Sequence, residues 1–320
     1  MRLKLVSSET NFDFFSRLRL WVGLSLVLLI LSLGSVLTQG LNFGIDFLGG
    51  TTIRTQSTQA VDVGAYRDSL SVMDLGDVSI SEIFDPNFDD DQHVAMIRIQ
   101  QQSGDDISVN DVTEDALSAL KSFDTNISFV SVESVGPKVS GELIQKAILA
   151  AVLAIGAVLI YIWLRFEWQF AQGAVVALIH DVLLTIGVFS VLQIKFDLAI
   201  IAALLTIVGY SLNDTVVVFD RVRENLRKYK KRPLKEVLNI SINETLSRTI
   251  ATSFTTLLAL IALFVLGGDV IRGFVFAMIW GVIVGTYSSV FIAAATLLRL
   301  GVKRDWSKPN AEAGIQVPQE

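Results

Sequence analysis

Apolar runs near the length of about twenty residues that a bilayer crossing needs recur along the chain. They fall at Leu20–Leu37, Leu143–Leu164, Ala171–Leu192, Leu198–Phe219, Ser247–Leu266 and Gly273–Leu298, which predicts six transmembrane helices. Between the first two runs the pattern changes to short apolar clusters set in polar sequence. It reads strand Thr51–Thr55, helix Ala60–Val72, strand Val78–Phe84, strand Val94–Gln100, helix Val109–Phe123 and strand Ile127–Val135, with Ser108 or Asn110 as the second helix's N-cap. A βαββαβ order predicts a ferredoxin-like α+β sandwich. The expected fold is an α-helical polytopic membrane protein carrying one extracytoplasmic ferredoxin-like domain. Its predicted parts are an N-terminal segment (1–19), a first span (20–40), the domain (41–138), five further spans (139–298) with a basic loop at 220–246, and a tail (299–320).

Composition supports a membrane protein, since apolar residues make up 52% of the 320. The first run is longer than a secretory core and lacks a small-x-small cleavage site, so it reads as an uncleaved anchor. Phe12, Phe14 and Phe15 before it are placed at the membrane interface. Charge is segregated. Acidic residues concentrate between Asp46 and Glu133, whereas Arg2, Lys4, Arg17 and Arg19 precede the first span and Arg165 follows the second. Arg221 to Lys235 crowd the segment after the fourth span, and Arg299, Lys303, Arg304 and Lys308 follow the sixth. Six crossings put all these cations on one side, predicting cytoplasmic termini and a periplasmic domain.

No cysteine and only two histidines, His93 and His180, are present, which removes disulfides, thiol chemistry and Cys/His zinc clusters. Asp89-Asp90-Asp91 lacks the spaced ligands of a calcium loop and reads as a solvated turn. The basic segment is a topology signal and an anionic-lipid contact; without interleaved aromatics it makes no case for nucleic acid.

The fourth run contains Asn213-Asp214. An acid in a span costs about 2.5–3.5 kcal/mol on insertion scales and faces a partner or a wet cavity, so Asp214 is either functional or a neutral packing residue. Asp181 shares its expected depth. Arg248, opening the fifth span, has reach enough for Asp214 or for the headgroups. Tyr210, Ser211 and Thr215 extend a polar stripe around Asp214. Asn213 reads as a helix–helix hydrogen bond, and Asp220 as one half of an ion pair beside Arg221 and Arg223. Thr252, Ser253, Thr255, Thr256, Gly281, Gly285, Ser288 and Ser289 read as small residues that permit close helix packing. Burial and a nearby guanidinium pull a carboxyl in opposite directions, so the chemistry this set offers is reversible protonation. One charge crossing about 100 mV is worth about 2.3 kcal/mol, enough to bias a two-state equilibrium.

Several segments carry a family resemblance. They are Leu41-Asn42-Phe43-Gly44-Ile45-Asp46-Phe47-Leu48-Gly49-Gly50-Thr51, Val135-Gly136-Pro137-Lys138-Val139-Ser140-Gly141-Glu142-Leu143 and Arg165-Phe166-Glu167-Trp168-Gln169-Phe170-Ala171. His180-Asp181-Val182, Gly209-Tyr210-Ser211-Leu212-Asn213-Asp214-Thr215 and Phe219-Asp220-Arg221-Val222-Arg223-Glu224-Asn225 complete the set. They resemble the SecF family, the smaller subunits of SecDF protein-export complexes in the resistance-nodulation-division (RND) superfamily. The resemblance implies a non-enzymatic inner-membrane subunit that uses the proton-motive force to complete protein export, with protons as coupling ion and no cofactor or metal. It implies Asp214 and Arg248 as proton-path positions, with Asp181, Asn213, Ser211, Tyr210 and Asp220 in support. It further implies SecD as the partner supplying the other six spans of an RND-type bundle, together with SecYEG, YajC and the emerging preprotein.

Three rival readings differ in class: a proton-independent scaffold of the translocon, a small-molecule exporter subunit, and an intramembrane aspartyl protease using Asp181 and Asp214. No accompanying motif supports the last. The glycines near Gly49-Gly50 and Gly136-Pro137 are expected hinges for rigid rotation of the domain.

Overall fold

A computed structural model describes residues 10–71, 73, 75, 78–83, 92–99, 109–135 and 137–302. Arg2, Lys4, the Asp89-Asp90-Asp91 turn, Ser108, Gly136 and the tail from Lys303 lie outside the described residues. In chain order the elements are α1 (Leu18–Thr38), α2 (Ile45–Leu48), β1 (Gly50–Ser57), α3 (Val63–Ser71), β2 (Val78–Ile83), β3 (His93–Ile99), α4 (Val109–Phe123) and β4 (Ser128–Val135). Then come α5 (Pro137–Arg165), α6 (Trp168–Leu192), α7 (Leu198–Lys228), α8 (Leu234–Leu266) and α9 (Asp269–Ser288), which runs through a π-helical turn, Ser289–Ala293, into α10 (Ala294–Leu300). Among the described residues six helical stretches are long and apolar enough to cross a membrane: α1, α5, α6, α7, α8 and the continuous α9–α10.

The inner helices are α6, α7 and α9–α10, and sequence explains why they can come so close. A Cβ added at Gly281 on α9 would run into Ile207 on α7, and one at Gly285 would lie 3.0 Å from Ser211 Cβ. Gly187 on α6 leaves no room for more than Ser32 of α1. Phe170, Phe189, Phe219, Ile200 and Ile207 fill the remaining space as fully buried side chains. By contrast α1, α5 and α8 turn large apolar side chains outward, among them Leu31, Val152, Leu153, Leu258 and Leu266, as helices bordering lipid do.

The four strands make an antiparallel sheet in the order β2-β3-β1-β4, with α3 and α4 closing one face over Ile53, Ile80, Ile97 and Ile99. That is the ferredoxin-like arrangement expected from the βαββαβ order. Helix α3 begins at Val63 rather than Ala60 because Asp62 Oδ1 accepts from the Gly64 and Ala65 amides and so sets the N-terminus.

One expectation needs correction. The basic segment 220–246 is not a loop: α7 and α8 continue through it, leaving only Tyr229–Pro233 outside helix. The apolar face persists there, with Val222, Leu226, Val237, Leu238 and Ile242 buried between the two extensions. Arg221 Nε donates to Glu244 at 2.7 Å, and Asn225 Nδ2 donates to Glu244 at 2.6 Å and to Ser241 Oγ at 3.1 Å. The cations therefore decorate a helical hairpin. At the same end the N-terminal segment is strapped to α8: the Phe12 amide donates to Asn243 Oδ1, Asn243 Nδ2 donates back to the Phe12 carbonyl, and the Phe14 amide donates to Asn239. Phe15 is consequently buried, Phe14 packs on Phe291, and Phe12 alone of the three is well exposed.

Candidate functional site

Polar side chains inside the spans gather on the facing sides of α6, α7 and α9. Asp181, 1% exposed, projects from α6 and holds three partners. Ser211 Oγ on α7 donates to its Oδ2 at 2.5 Å, Ser288 Oγ on α9 donates to the same oxygen at 2.7 Å, and His180 Nδ1 lies 2.9 Å from Oδ1. Three helices are thus tied at one carboxyl. The His180 ring stacks on Tyr287, and its Nε2 is buried without a partner among the described residues.

Asp214 follows Ser211 by three residues on α7, about one turn nearer the basic end. It is 3% exposed, and its Oδ2 is buried without a hydrogen-bond partner among the described residues. Arg248 on α8 is near enough for its charge to act on Asp214. Among the described residues no ion pair at contact distance joins them. An acid in the middle of a span costs about 2.5–3.5 kcal/mol on insertion scales, and here it keeps an unfilled acceptor with a cation within electrostatic reach.

The remaining expected residues divide. Tyr210 donates to Ser253 on α8 at 3.4 Å, and Ser253 shares a 2.7 Å bond with Thr286 on α9, a second polar link between helices. Thr215 is buried beside Asp214, whereas Asn213 faces outward from this chain, as does Arg248. Asp220 makes the expected ion pair with a different main partner: Arg165 Nη2 lies 2.9 and 3.0 Å from its two oxygens, and Arg223 is 3.7 Å away. Arg221 instead bonds Glu224 and Glu244. By sequence Ser288 and Ser253 are packing residues and His180 has no role; in the structure all three belong to the polar set.

At the end carrying the domain, the segment after α1 lies against the turn between α6 and α7. The Gly44 amide donates to the Phe196 carbonyl at 2.8 Å and the Phe196 amide to the Asn42 carbonyl at 2.7 Å, a short parallel bridge. Asp46 Oδ2 accepts from the Leu198 amide, the first residue of α7, at 3.0 Å.

Six spans, a ferredoxin-like domain inserted after the first, and acids buried where three inner helices meet define a polytopic membrane transport subunit. Residues 115–303 match the family described as "Protein export membrane protein SecD/SecF, C-terminal", and residues 34–61 match the "SecD/SecF GG Motif". The chain is 61% identical to the protein translocase subunit SecF of Cereibacter sphaeroides over 98% of its length and 97% of the relative's. It is 58% identical to that of Rhodobacter capsulatus over 97% of its length and 95% of the relative's. The crystal structure of SecDF from Thermus thermophilus, a translocon-associated membrane protein, superposes with a TM-score of 0.82 at 34% identity. That match covers 94% of this chain and 40% of the SecDF chain. The chain belongs to the SecF family of protein translocase subunits.

Proposed function

We propose that this chain is the SecF half of a SecDF pair in the bacterial inner membrane, using the proton-motive force to promote and complete protein export through the Sec translocon. On this reading both termini and the basic helical hairpin are cytoplasmic, and the α+β domain is periplasmic. SecD contributes the other half of an RND-type bundle, and SecYEG, YajC and the emerging preprotein are the further partners. The observation that carries the reading is Asp214: a carboxyl buried in a span, with an oxygen left without a partner and Arg248 within electrostatic reach. Protons arriving from outside bind Asp214 and leave toward the cytoplasm, and each change of charge shifts the balance between two arrangements of α7 against α8. The outward-facing Asn213 and Arg248 fit a site completed by a second subunit.

The test is export of a presecretory protein into energised vesicles containing this chain and its SecD partner, with the proton-motive force varied. Asp214→Asn is expected to abolish the force-dependent part while leaving complex assembly intact. Full force dependence in that variant would instead support a proton-independent scaffold. Altered drug sensitivity on deletion, without accumulation of secretory precursors, would support a small-molecule exporter.

A further inference from the structure

In sequence the glycine-rich run after α1 opens the predicted domain of residues 41–138, yet the structure builds its first part into the membrane half. Beyond the bridge at Phe196, Asn42 Nδ2 donates to the Gln193 carbonyl at 2.9 Å and Ser190 Oγ donates to the Gly40 carbonyl at 2.7 Å. On the α5 side Ser140 Oγ donates to the Ile45 carbonyl at 3.2 Å. Phe43, Phe47 and Phe196 form a ring cluster with centroids 5.4 to 6.1 Å apart, extended by Phe189. Gly44 is the point of closest approach, where an added Cβ would lie 3.0 Å from the Lys195 side chain and 3.2 Å from that of Asp197. Only after Leu48 does the backbone change: Gly49 and Gly50 have φ of 74° and 126°, conformations that strongly favour glycine, and β1 begins at Gly50.

We propose that Asp46 is a positioning residue through which the root of the α+β domain grips the first turn of α7, the helix that carries Asp214. Asp197 caps that helix from within by accepting from the Ile200 amide, and Asp46 adds a second carboxylate from a different segment, satisfying the Leu198 amide. A helix N-terminus with an amide bound by a neighbouring element cannot shift without carrying that element or breaking the bond. The segment from Leu41 to Leu48 and α7 therefore move as one body, and the domain pivots at Gly49-Gly50. This deepens the proton-motor reading and rests on it for the source of movement, while the grip itself stands on geometry alone.

Two measurements test it on the full chain with its SecD partner in membranes. The first is amide hydrogen exchange. Asp46→Ala should speed exchange at Leu198 about tenfold, the effect of losing a capping bond, whereas Asp46→Asn, which keeps an acceptor oxygen, should restore protection. Export should fall severalfold in the alanine variant and recover in the asparagine one. Unchanged exchange at Leu198 in Asp46→Ala would overturn the assignment whatever happens to export, so a failure of the motor reading is recognised separately by Asp214→Asn. The second is a lock. The chain contains no cysteine, so Phe43→Cys with Phe196→Cys introduces one defined pair across the parallel bridge. Neighbouring strands lie about 4.8 Å apart, within disulfide reach. Oxidation should leave the export rate at the level of the reduced form, because these parts never separate; inhibition reversed by reductant would show that they do.

Discussion

Ser211 of α7 and Asp181 of α6 meet at 2.5 Å, three residues before Asp214 on the same helix. With Ser288 bonded to the same oxygen, the carboxyl fixes the mutual height and rotation of α6, α7 and α9 just where α7 presents its acid. The two aspartates thus have different surroundings: Asp181 has hydrogen-bond partners at both oxygens, while Asp214 keeps an oxygen with no partner among the described residues. A residue held from three sides serves as a fixed reference, and an unpartnered oxygen is what the proposed proton-exchanging group requires.

Replacing Asp181 with Ala should therefore act on stability. Two interhelical hydroxyl bonds disappear and leave polar groups behind, at about 0.6 kcal/mol per bond in membrane helices and about 1–2 kcal/mol together. Denaturant unfolding of the purified chain in mild detergent measures it. Combined with Ser211→Ala the loss should be less than additive, since both substitutions delete one shared bond. Full additivity would mean that the two side chains do not interact.

The Arg165–Asp220 pair offers a contrast. Its geometry is as good, with both oxygens within 3.0 Å of one nitrogen, but its side chains are 41% and 43% exposed. Solvent screens such a pair and side-chain entropy opposes it, so Arg165→Ala should cost at most about 1 kcal/mol in the same unfolding assay. A larger loss would point to the Arg165 guanidinium over the Phe166 ring, 5.1 Å from its centroid, as the greater contribution.

The spans and the domain were legible because each depends on a periodicity that the chain repeats over many residues. The polar set was only half legible. Asp214 stands out since a lone acid in an apolar run has few explanations, whereas a serine in a span has two. Thr206 and Thr255 merely bond the carbonyl four residues back, Ser288 likewise bonds the carbonyl of Gly285 three residues back, and nothing in sequence says that Ser288 in addition reaches Asp181. Asp46 was hidden for another reason: in sequence it falls in the predicted domain of residues 41–138, and only the fold brings the start of α7 to it. In the basic hairpin, charge density suggests a loop, while the apolar positions Val222, Leu226, Val237 and Leu238 keep helical spacing through it, and the spacing is what the fold obeys.

Acid should tighten the docking of the Leu41–Leu48 segment. Asp197 has its pKa raised above 3.8, first by burial and also by the neighbouring Asp46, although Lys195 pulls it back. The docked state thus binds a proton more readily than the released one. Docking gains stability as pH falls through the raised value and levels off below 3.8. Lys195 acts in a separate, alkaline window: burial first, then the Arg98 charge, hold its pKa below 10.5, so docking gains as pH rises toward that value. Amide exchange at Phe196 and Leu198, corrected for intrinsic rates, should slow relative to a surface amide on acidification. Asp197→Asn should remove the acid-side change. A pH-independent protection in the wild type would show that Asp197 is equally solvated in both states.

The meeting of α1 with α6 is the tightest place for a substitution to probe. At Gly187 an added Cβ would lie 2.8 Å from the Ser32 backbone and closer still to the Ser32 side chain, so Gly187→Ala must push backbone away from backbone. Overpacking of this kind costs about 1–3 kcal/mol. The cost should spread beyond these two residues, because α1 is also fastened to the bundle by Ser35 to Ser190 at 2.8 Å and Ser25 to Tyr287 at 2.7 Å. Tyr287 stacks on His180, so displacing α1 disturbs the ring beside Asp181. Ser32→Gly in the same chain removes the colliding side chain but leaves the α1 backbone in the way, and should restore part of the lost stability. Complete rescue would mean that the side chain alone obstructs, and no rescue that α1 has moved away altogether. Either outcome is read from the unfolding midpoint of the double variant against both single ones.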